Sequence, residues 1–345
     1  IAFGVLLMLF MLAAPMGIAG TIKMWYFRIR NIILERQGRA APAVPPEAVG
    51  VPTFGAAEIE GGDIAGGNPA PANPVSRKYS TARPSSFGDT ILEVRGVSKS
   101  FAAVQALRGI DVSVRQGEIL GVIGPNGSGK TTLFNCISGF LPVTEGDIRW
   151  RGRDITKWTP DRVARHGLVR TFQQAMLFRS TTVYSSLRVA RESLNAFGYR
   201  ETATLDLPGD VDGLLEFCDL SHVADQPAAM LPYGLVRKLG VALALATFPY
   251  LLMLDEPAAG LNDIESQELG ELLLRARAAG VTLIVVDHDM PFIMPISDRM
   301  VVLDAGQKIL EGTPQEVQAD QRVIAAYLGE RFAKMAADMQ EAGDK

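Results

Sequence analysis

The sequence predicts an α/β domain with a mostly parallel β-sheet, and three apolar runs carry that prediction. Residues 119–123 form the first run, and a glycine-rich loop and the start of a helix follow it. Residues 251–254 and 281–286 form the other two, and acidic side chains follow each of them directly. Continuous apolar runs of this length are typical of parallel strands that are buried on both faces. Because ligands bind at the carboxyl ends of such strands, we expect the polar residues after each run to meet a ligand.

The glycine-rich loop after the first run fits the pattern G-x-x-x-x-G-K-[ST] from Gly124 to Thr131. A strand, this loop and a helix start follow one another in the order that a phosphate-binding loop (P-loop) requires. Glycines let backbone N–H groups turn toward the phosphates, and the helix N-terminus adds its positive end. Lys130 adds a charge, and the Thr131 hydroxyl can ligate Mg²⁺. A simple glycine turn is the alternative, and the flanking strand and helix argue against it. The predicted nucleotide contacts in this loop are Gly124, Pro125, Asn126, Gly127, Ser128, Gly129, Lys130, Thr131 and Thr132.

Two carboxylates and a histidine follow the other two runs. Asp255 is predicted to hold Mg²⁺, directly or through water, and Glu256 is the candidate general base for the attacking water. His288 follows the third run and is predicted to contact the γ-phosphate. The alternative, that the carboxylates merely end a strand, is weakened by the matching phosphate loop upstream.

Two further residues carry predictions from position alone. Gln173 lies between the loop and the carboxylate strand, where it can ligate Mg²⁺ or hold the attacking water. Phe101 precedes the loop at a distance from which an aromatic ring can stack on adenine, and a core aromatic is the equal alternative.

The first 40 residues have the composition of a membrane-spanning helix and the basic segment that flanks it. Residues 1–22 contain no charged side chain and would form a helix of about 33 Å, which is enough to cross a bilayer. Residues 23–40 follow with aromatic and basic side chains, which predicts that this end faces the cytoplasm. A signal peptide and a buried core helix are the alternatives. Because the chain begins with Ile1, we expect it to continue a longer protein.

The rest of the chain divides by composition. Residues 41–89 hold eight prolines and seven glycines and are predicted to be a disordered linker. Residues 90–329 have the composition of a globular domain, and residues 330–345 form a tail of helix-forming composition. The net charge of −4 argues against a nucleic-acid surface. The two cysteines form no CxxC pair and are expected to stay reduced.

Together these motifs resemble the ATP-binding domain of ABC transporters over residues 90–329, and most closely the ATPases of branched-chain (hydrophobic) amino-acid importers. The stretches that carry the resemblance are Arg170-Thr171-Phe172-Gln173, Asp255-Glu256-Pro257-Ala258-Ala259-Gly260-Leu261-Asn262, Asp287-His288-Asp289-Met290, Ile296-Ser297-Asp298-Arg299, Gly312-Thr313-Pro314-Gln315-Glu316-Val317 and Val323-Ile324-Ala325-Ala326-Tyr327-Leu328-Gly329. The last two are particular to this subfamily. Residues 4–20 look like the end of the same importers' permease subunit, which implies a permease fused to its ATPase.

The resemblance implies ATP and Mg²⁺ as cofactors and a set of partners. Two ATPase domains, as a homodimer or a heterodimer, enclose two ATP molecules and drive membrane permease subunits. A periplasmic or extracellular solute-binding protein delivers the substrate. The chain would then lie at the cytoplasmic membrane, in contact with the lipid bilayer, with its ATPase domain on the cytoplasmic side. The loop that runs along the dimer seam is implied to be Ala259, Gly260, Leu261 and Asn262.

The chain departs from the family pattern in the signature sequence, which serves the ATP of the partner subunit. A sequence close to Leu-Ser-Gly-Gly-Gln, often with Tyr third, is replaced by Leu231, Pro232, Tyr233, Gly234 and Leu235. Pro232 removes a hydroxyl and a backbone N–H, and Leu235 removes the glutamine amide. The alternative is that Pro232 is only a favourable first helical residue and that the signature still works. Our hypothesis is a heterodimer in which the phosphate loop of this chain is completed by the intact signature of a partner.

Other functions remain open at this point. Urea and short amides are handled by close relatives of the branched-chain importers, and a degenerate signature is also consistent with a regulatory subunit. A fused half-exporter and a non-transport ATPase are less consistent with the linker and the import-type motifs. The resemblance implies a small antiparallel subdomain (residues 90–118 with parts of 140–155) and a helical subdomain (residues 175–245) around the parallel core.

Overall fold

The structure is a computed structural model that describes residues 86–102, 104–171, 181–196 and 205–327. The predicted membrane helix, the basic segment, most of the predicted linker, Gln173 and the predicted tail lie outside these ranges. Within the ranges described, no helix is both long enough and apolar enough to cross a bilayer.

The described residues form ten strands, eight α-helices and two short 3₁₀ helices, followed by a helical segment at residues 321–327. The strands are β1 (Thr90–Phe101), β2 (Val104–Arg115), β3 (Ile119–Ile123), β4 (Glu145–Trp150), β5 (Arg153–Asp154), β6 (Leu168–Arg170), β7 (Leu251–Asp255), β8 (Thr282–Val286), β9 (Arg299–Asp304) and β10 (Gln307–Gly312). The helices are α1 (Lys130–Ile137), α2 (Pro160–Arg165), α3 (Val183–Ala196), α4 (Val211–Phe217), α5 (Tyr233–Leu245), α6 (Asp263–Ala278), α7 (Met290–Ile296) and α8 (Pro314–Ala319).

Four strands form an antiparallel sheet in the order β2-β1-β4-β5. Its central strand β1 pairs Leu92 with Val114 on one side and with Trp150 on the other, and all three side chains are buried. They belong to a core that also contains Leu133 and Phe134 of α1. The antiparallel sheet therefore covers one face of the helix that follows the phosphate loop.

Six strands form the second sheet in the order β10-β9-β3-β8-β7-β6, and only the pairing of β10 with β9 is antiparallel. Its strands β3, β7 and β8 are buried along their whole length. Alternate residues of β7 enter two different cores, Leu252 and Leu254 on one face and Leu251 and Met253 on the other. This two-sided burial explains why the strand appears in the sequence as a continuous apolar run. The predicted α/β fold with a mostly parallel sheet is confirmed.

The parallel register brings the three predicted site segments to one edge of this sheet. Val122 of β3 pairs with Val286 of β8, and Asp255 of β7 pairs with the same valine. The chain therefore leaves β3 at Gly124, β7 at Glu256 and β8 at Asp287 from neighbouring positions.

The amino end of β3 is held by a buried ion pair between α6 and the end of α7. Arg277 donates to Asp298 Oδ1 at 2.8 Å, and both side chains are almost completely buried. The other oxygen of Asp298 accepts the backbone N–H of Ile119, also at 2.8 Å. This contact sets the position of the strand that leads into the phosphate loop.

Candidate nucleotide site

The loop between β3 and α1 has a backbone that only glycine can supply at its two ends. Gly124 has a φ of 150°, and a Cβ atom there would lie 2.1 Å from the carbonyl oxygen of Leu303. Gly129 precedes α1 with a φ of 104° in the left-handed region, next to the carbonyl oxygen of Ala106. These two positions hold the loop close against the neighbouring backbone.

Polar groups of this loop converge where an anion would bind. Lys130 is the first residue of α1, and its Nζ donates to the carbonyl oxygens of Gly124 at 2.6 Å and Pro125 at 2.9 Å. Ser128 Oγ is buried and has no hydrogen-bond partner among the described residues. Thr131 and Thr132 follow in the first turn, where backbone N–H groups have no partner within the helix. A buried cation, an unpartnered hydroxyl and a helix N-terminus together fit a phosphate group.

Asp255 ends β7 with one carboxylate oxygen paired and the other unpartnered. Its Oδ2 accepts from Arg170 at 2.7 Å, and both side chains are almost completely buried. Arg170 also donates to Asn135 Oδ1 of α1 at 2.6 Å. The second oxygen of Asp255, Oδ1, is buried and has no hydrogen-bond partner among the described residues. Arg170 thus fixes the carboxylate against α1 and leaves one of its oxygens for another ligand.

Glu256 and His288 face each other beside the carboxylate strand. Glu256 has a φ of 48°, and its backbone N–H donates to the carbonyl oxygen of Val286 at 2.8 Å. His288 Nδ1 lies 3.8 Å from Glu256 Oε1, and the histidine side chain is 59% exposed. The left-handed φ of Glu256 is uncommon for a residue with a side chain, and it marks the point where the chain leaves β7. An exposed imidazole beside a partly exposed carboxylate can act on a ligand that binds over them.

A buried carboxylate ties the loops that carry these two residues together. Asp287 is fully buried and accepts three backbone N–H groups, from Ala258 at 3.1 Å, His288 at 2.8 Å and Asp289 at 3.0 Å. Burial raises the pKa of Asp287, and the three hydrogen bonds oppose that shift. The loop after Glu256 and the loop that carries His288 therefore share one anchor.

The predicted signature and the predicted dimer-seam loop contact each other within this chain. Pro232 lies at the N-cap of α5, so the helix begins at Tyr233 rather than at the proline. The Tyr233 hydroxyl donates to the carbonyl oxygen of Ala259 at 3.0 Å, and Arg237 donates to both of these oxygens. A Cβ atom on Gly234 would lie 2.4 Å from Glu265 Oε1.

The remaining residues of these two segments support the contact. Leu231 is buried, and Leu235 and Leu261 pack against the core that contains Leu252 and Leu254. Gly260 has a φ of 80° and lies under the Tyr233 ring, and Asn262 caps α6 in a capping box with Glu265.

Comparison with known proteins agrees with this geometry. The ABC transporter family matches residues 107–259, and the family described as branched-chain amino acid ATP-binding cassette transporter matches residues 307–333. The high-affinity branched-chain amino acid transport ATP-binding protein BraF of Pseudomonas aeruginosa is 39% identical over 253 residues, which cover 70% of this chain and 98% of BraF. The corresponding protein LivG of Escherichia coli is 38% identical over 251 residues, again 98% of its length.

The chain belongs to the branched-chain amino acid family of ABC transporter ATP-binding proteins. It is an ABC-type ATPase, which binds and hydrolyses ATP. A nucleotide-free ATP-binding cassette of an ABC transporter superposes with a TM-score of 0.60 at 31% identity, over 69% of this chain and 98% of that one. A cassette in its ADP conformation superposes with a TM-score of 0.62 at 32% identity, over 70% and 99%. These structures confirm the ABC-type P-loop fold.

For two predicted site residues, Phe101 and Gln173, the structure does not show the predicted contact. Phe101 ends β1 with 44% of its surface exposed and lies 5.0 Å from Lys99 Nζ, so the alternative of a core aromatic is wrong. Its contact with adenine stays a prediction. Gln173 lies outside the described residues, and its role also stays a prediction.

Three residues shape this ABC ATPase site although the sequence predicted no function for them. Arg170 binds Asp255, Asp287 links two loops, and Arg237 connects the signature helix to Ala259. The partner of Arg170, Asp255, lies 85 residues away in sequence, so this pairing is determined by the fold. Asp287 and Arg237 each have local partners, but their contacts to Ala258 and Ala259 span 29 and 22 residues of sequence, which no local pattern reveals.

We expect Asp287→Asn to lower the free energy of unfolding by about 1–3 kcal/mol and to slow ATP hydrolysis. An amide NH₂ group would face one of the three N–H donors, so at least one buried hydrogen bond is lost. Chemical denaturation and a phosphate-release assay measure the two effects. Asp289→Asn is the matched control, because Asp289 caps α7 and asparagine caps equally well. Equal behaviour of the two variants would contradict the anchor role.

Proposed function

We propose that this chain uses ATP hydrolysis to drive the import of branched-chain or related hydrophobic amino acids across the cytoplasmic membrane. The observation that carries the substrate class is the match of residues 307–333 to the branched-chain family, because the ATPase machinery itself does not touch the transported molecule. The relatives named for branched-chain amino acid transport support the same assignment.

Phosphate binding is assigned to the loop and to the start of α1. In this proposal the backbone N–H groups of residues 124–132, the Ser128 hydroxyl and Lys130 hold the β- and γ-phosphates. The unpartnered Ser128 Oγ supports it, because a buried hydroxyl without a partner is costly. The buried Lys130 Nζ supports it as a positive charge held at the same loop. Phe101 is proposed to stack on the adenine.

Mg²⁺ is assigned to oxygen ligands beside this cradle. Thr131 offers a hydroxyl and Asp255 offers its unpartnered Oδ1, directly or through water, and these oxygen donors suit Mg²⁺. Among the described residues no cluster of three or more His, Cys, Asp or Glu side chains is placed to hold a metal ion. When bound, the ion would neutralise phosphate charge. Gln173 is proposed as a further ligand of the metal or of the attacking water.

Glu256 and His288 are assigned to the hydrolysis step. A water molecule attacks the γ-phosphorus, Glu256 accepts its proton, and the bond to the β-phosphate oxygen breaks to leave ADP and phosphate. His288 donates to a γ-phosphate oxygen and keeps the water aligned. The 3.8 Å separation of their side chains supports a shared task at one phosphate.

The signature supports an asymmetric dimer. Pro232 has no N–H to donate and Leu235 has no amide, so this chain offers a poorer contact to the ATP of its partner. Its own phosphate loop, Glu256 and His288 are complete. We therefore assign this chain to a heterodimer with a second ABC ATPase whose signature completes the site, acting with permease subunits and a solute-binding protein.

The amino-terminal segments support a membrane-attached subunit. We assign residues 1–22 to the last helix of a fused permease, residues 23–40 to the cytoplasmic membrane surface and residues 41–89 to a linker. Their charge-free, basic and proline-rich compositions support this order. The ATPase domain, assigned to residues 90–329 with residues 330–345 as its tail, would then lie on the cytoplasmic side.

The altered signature also favours a second candidate, a regulatory subunit that binds ATP at a site with little turnover.

We expect Glu256→Gln to reduce leucine uptake at least about 100-fold in cells that depend on this transporter, because the general base is lost. Uptake of radiolabelled leucine, isoleucine and valine measures the effect, and urea serves as the competing substrate. Glu271→Gln is the control, since Glu271 lies exposed on α6 and accepts from Gln267 on the same helix. Unchanged leucine uptake in Glu256→Gln would refute the proposal, and uptake of urea alone would favour the alternative importer.

We expect the Glu256→Gln chain to bind ATP and yet remain a monomer in light scattering with Mg²⁺-ATP. Restoring the signature with Pro232→Ser and Leu235→Gln in the same background is expected to yield an ATP-dependent homodimer. An ATP-dependent homodimer with the natural signature would contradict the heterodimer.

A further inference from the structure

The carboxyl-terminal segment of the described chain contacts the phosphate loop directly. The backbone N–H of Gly124 donates to Tyr327 Oη at 2.8 Å, across 203 residues of sequence. Gly124 is the first residue of the loop, and Tyr327 lies in the helical segment 321–327. The branched-chain family match spans this segment, whereas the general ABC match ends at residue 259. A family-specific segment therefore holds a part of the general ATPase machinery.

Gly124 is a point at which a small displacement affects the whole loop. Its carbonyl oxygen accepts from Lys130 Nζ at 2.6 Å, so the two polar groups of this residue connect Tyr327 to the lysine. Gly124 is buried, and its Cα lies so close to Leu303 and Ser128 that no side chain fits there. The position of Gly124 consequently sets that of the acceptor to which Lys130 donates.

Packing fixes the position of the Tyr327 hydroxyl. The segment that leads to it is anchored by the buried side chains of Val317 and Val323, and α8 begins with a capping box between Thr313 and Glu316. The Tyr327 ring packs against the core that contains Leu252 and Leu254 of β7. An aromatic side chain has only two side-chain torsions, so a packed ring directs its hydroxyl with little freedom.

A cavity separates this segment from the loop that carries His288. The cavity has a volume of about 470 Å³ and lies between residues 317–327 and the loop and helix after β8. Tyr327 and Ile324 line one side, and His288 and Met294 line the other. The segment that holds Gly124 thus also borders the histidine assigned to the γ-phosphate.

We propose that Tyr327 is a positioning residue for the phosphate loop. Its hydroxyl holds Gly124, and through Gly124 the Lys130 acceptor, in the conformation that binds ATP. The carboxyl-terminal segment of this chain therefore takes part in setting its ATP affinity. This inference deepens the proposed function, because it rests on ATP binding by the same loop.

The test compares Tyr327→Phe with the wild-type full chain. We expect the dissociation constant for Mg²⁺-ATP to rise about 2- to 10-fold, the range for loss of one neutral hydrogen bond. The rate of hydrolysis at saturating ATP is expected to change less than about 2-fold, since the hydrolytic residues are intact. Hydrogen exchange of the Gly124 amide is expected to accelerate. The thermal midpoint is expected to fall by about 2–4 °C, because the buried Gly124 N–H loses its acceptor while the ring stays packed.

Two control variants separate positioning from packing. Tyr250→Phe removes a hydroxyl from a ring that is stacked by Arg151 and lies outside the loop, and we expect no change in ATP affinity. Tyr327→Ala removes the ring as well, and we expect both weaker binding and a lower thermal midpoint.

The outcomes are distinct. A Tyr327→Phe chain that binds ATP and exchanges the Gly124 amide as the wild type does, while Tyr327→Ala is impaired, would assign the effect to ring packing and overturn the inference. A wild-type chain that binds no ATP would refute the proposed function as well.

Discussion

The parallel register between β3, β8 and β7 is the constraint on which the nucleotide site depends. Because Val122 and Asp255 both pair with Val286, the chain leaves three neighbouring strands at one level of the sheet edge. The phosphate loop, the Asp255–Glu256 pair and His288 are brought together by this register alone. A shift of one residue in either pairing would turn the polar residue at a strand end toward the opposite face.

Buried hydrogen bonds then fix the orientation of the side chains that the sheet brings close together. Arg170 fixes one oxygen of Asp255 against α1, and Asp287 joins the loops after β7 and β8. Each of these groups is deeply buried, where an unsatisfied polar atom costs more than at the surface. Ser128 Oγ and Asp255 Oδ1 are buried oxygen atoms that nevertheless lack a partner among the described residues. Both belong to the site, and phosphate and Mg²⁺ are ligands that would satisfy them.

The signature helix extends this geometry toward a second subunit. Tyr233 and Arg237 of α5 both reach the carbonyl oxygen of Ala259, three residues beyond Glu256. In the proposed dimer the start of α5 serves the ATP of the partner, whereas Glu256 serves the ATP of this chain. The contact at Ala259 therefore joins the two half-sites within one polypeptide. Pro232 alters the start of this helix without disturbing the contact itself, because Tyr233 provides the hydroxyl.

Local patterns in the sequence predicted the strands and the phosphate loop because each signal lies within about ten residues. The apolar runs before Gly124 and Asp255 needed no tertiary information, since burial on both faces leaves a continuous pattern. Arg170, Asp287 and Tyr327 were assigned no role because their partners are determined by the fold. The partners of Arg170 and Tyr327 lie 85 and 203 residues away, and a single sequence offers no signal for such a pairing. The effect of Pro232 and Leu235 on ATP binding by a partner also cannot be read from local sequence, because it depends on a second subunit.

The most direct test of this account is calorimetric titration of the full chain with Mg²⁺-ATP, alongside the Lys130→Ala variant. The account predicts saturable binding of one ATP per chain and a loss of more than about tenfold in affinity when the Lys130 charge is removed. Binding that is absent in the wild type, or that is unchanged in Lys130→Ala, would contradict the claim that this sheet edge forms an ATP site.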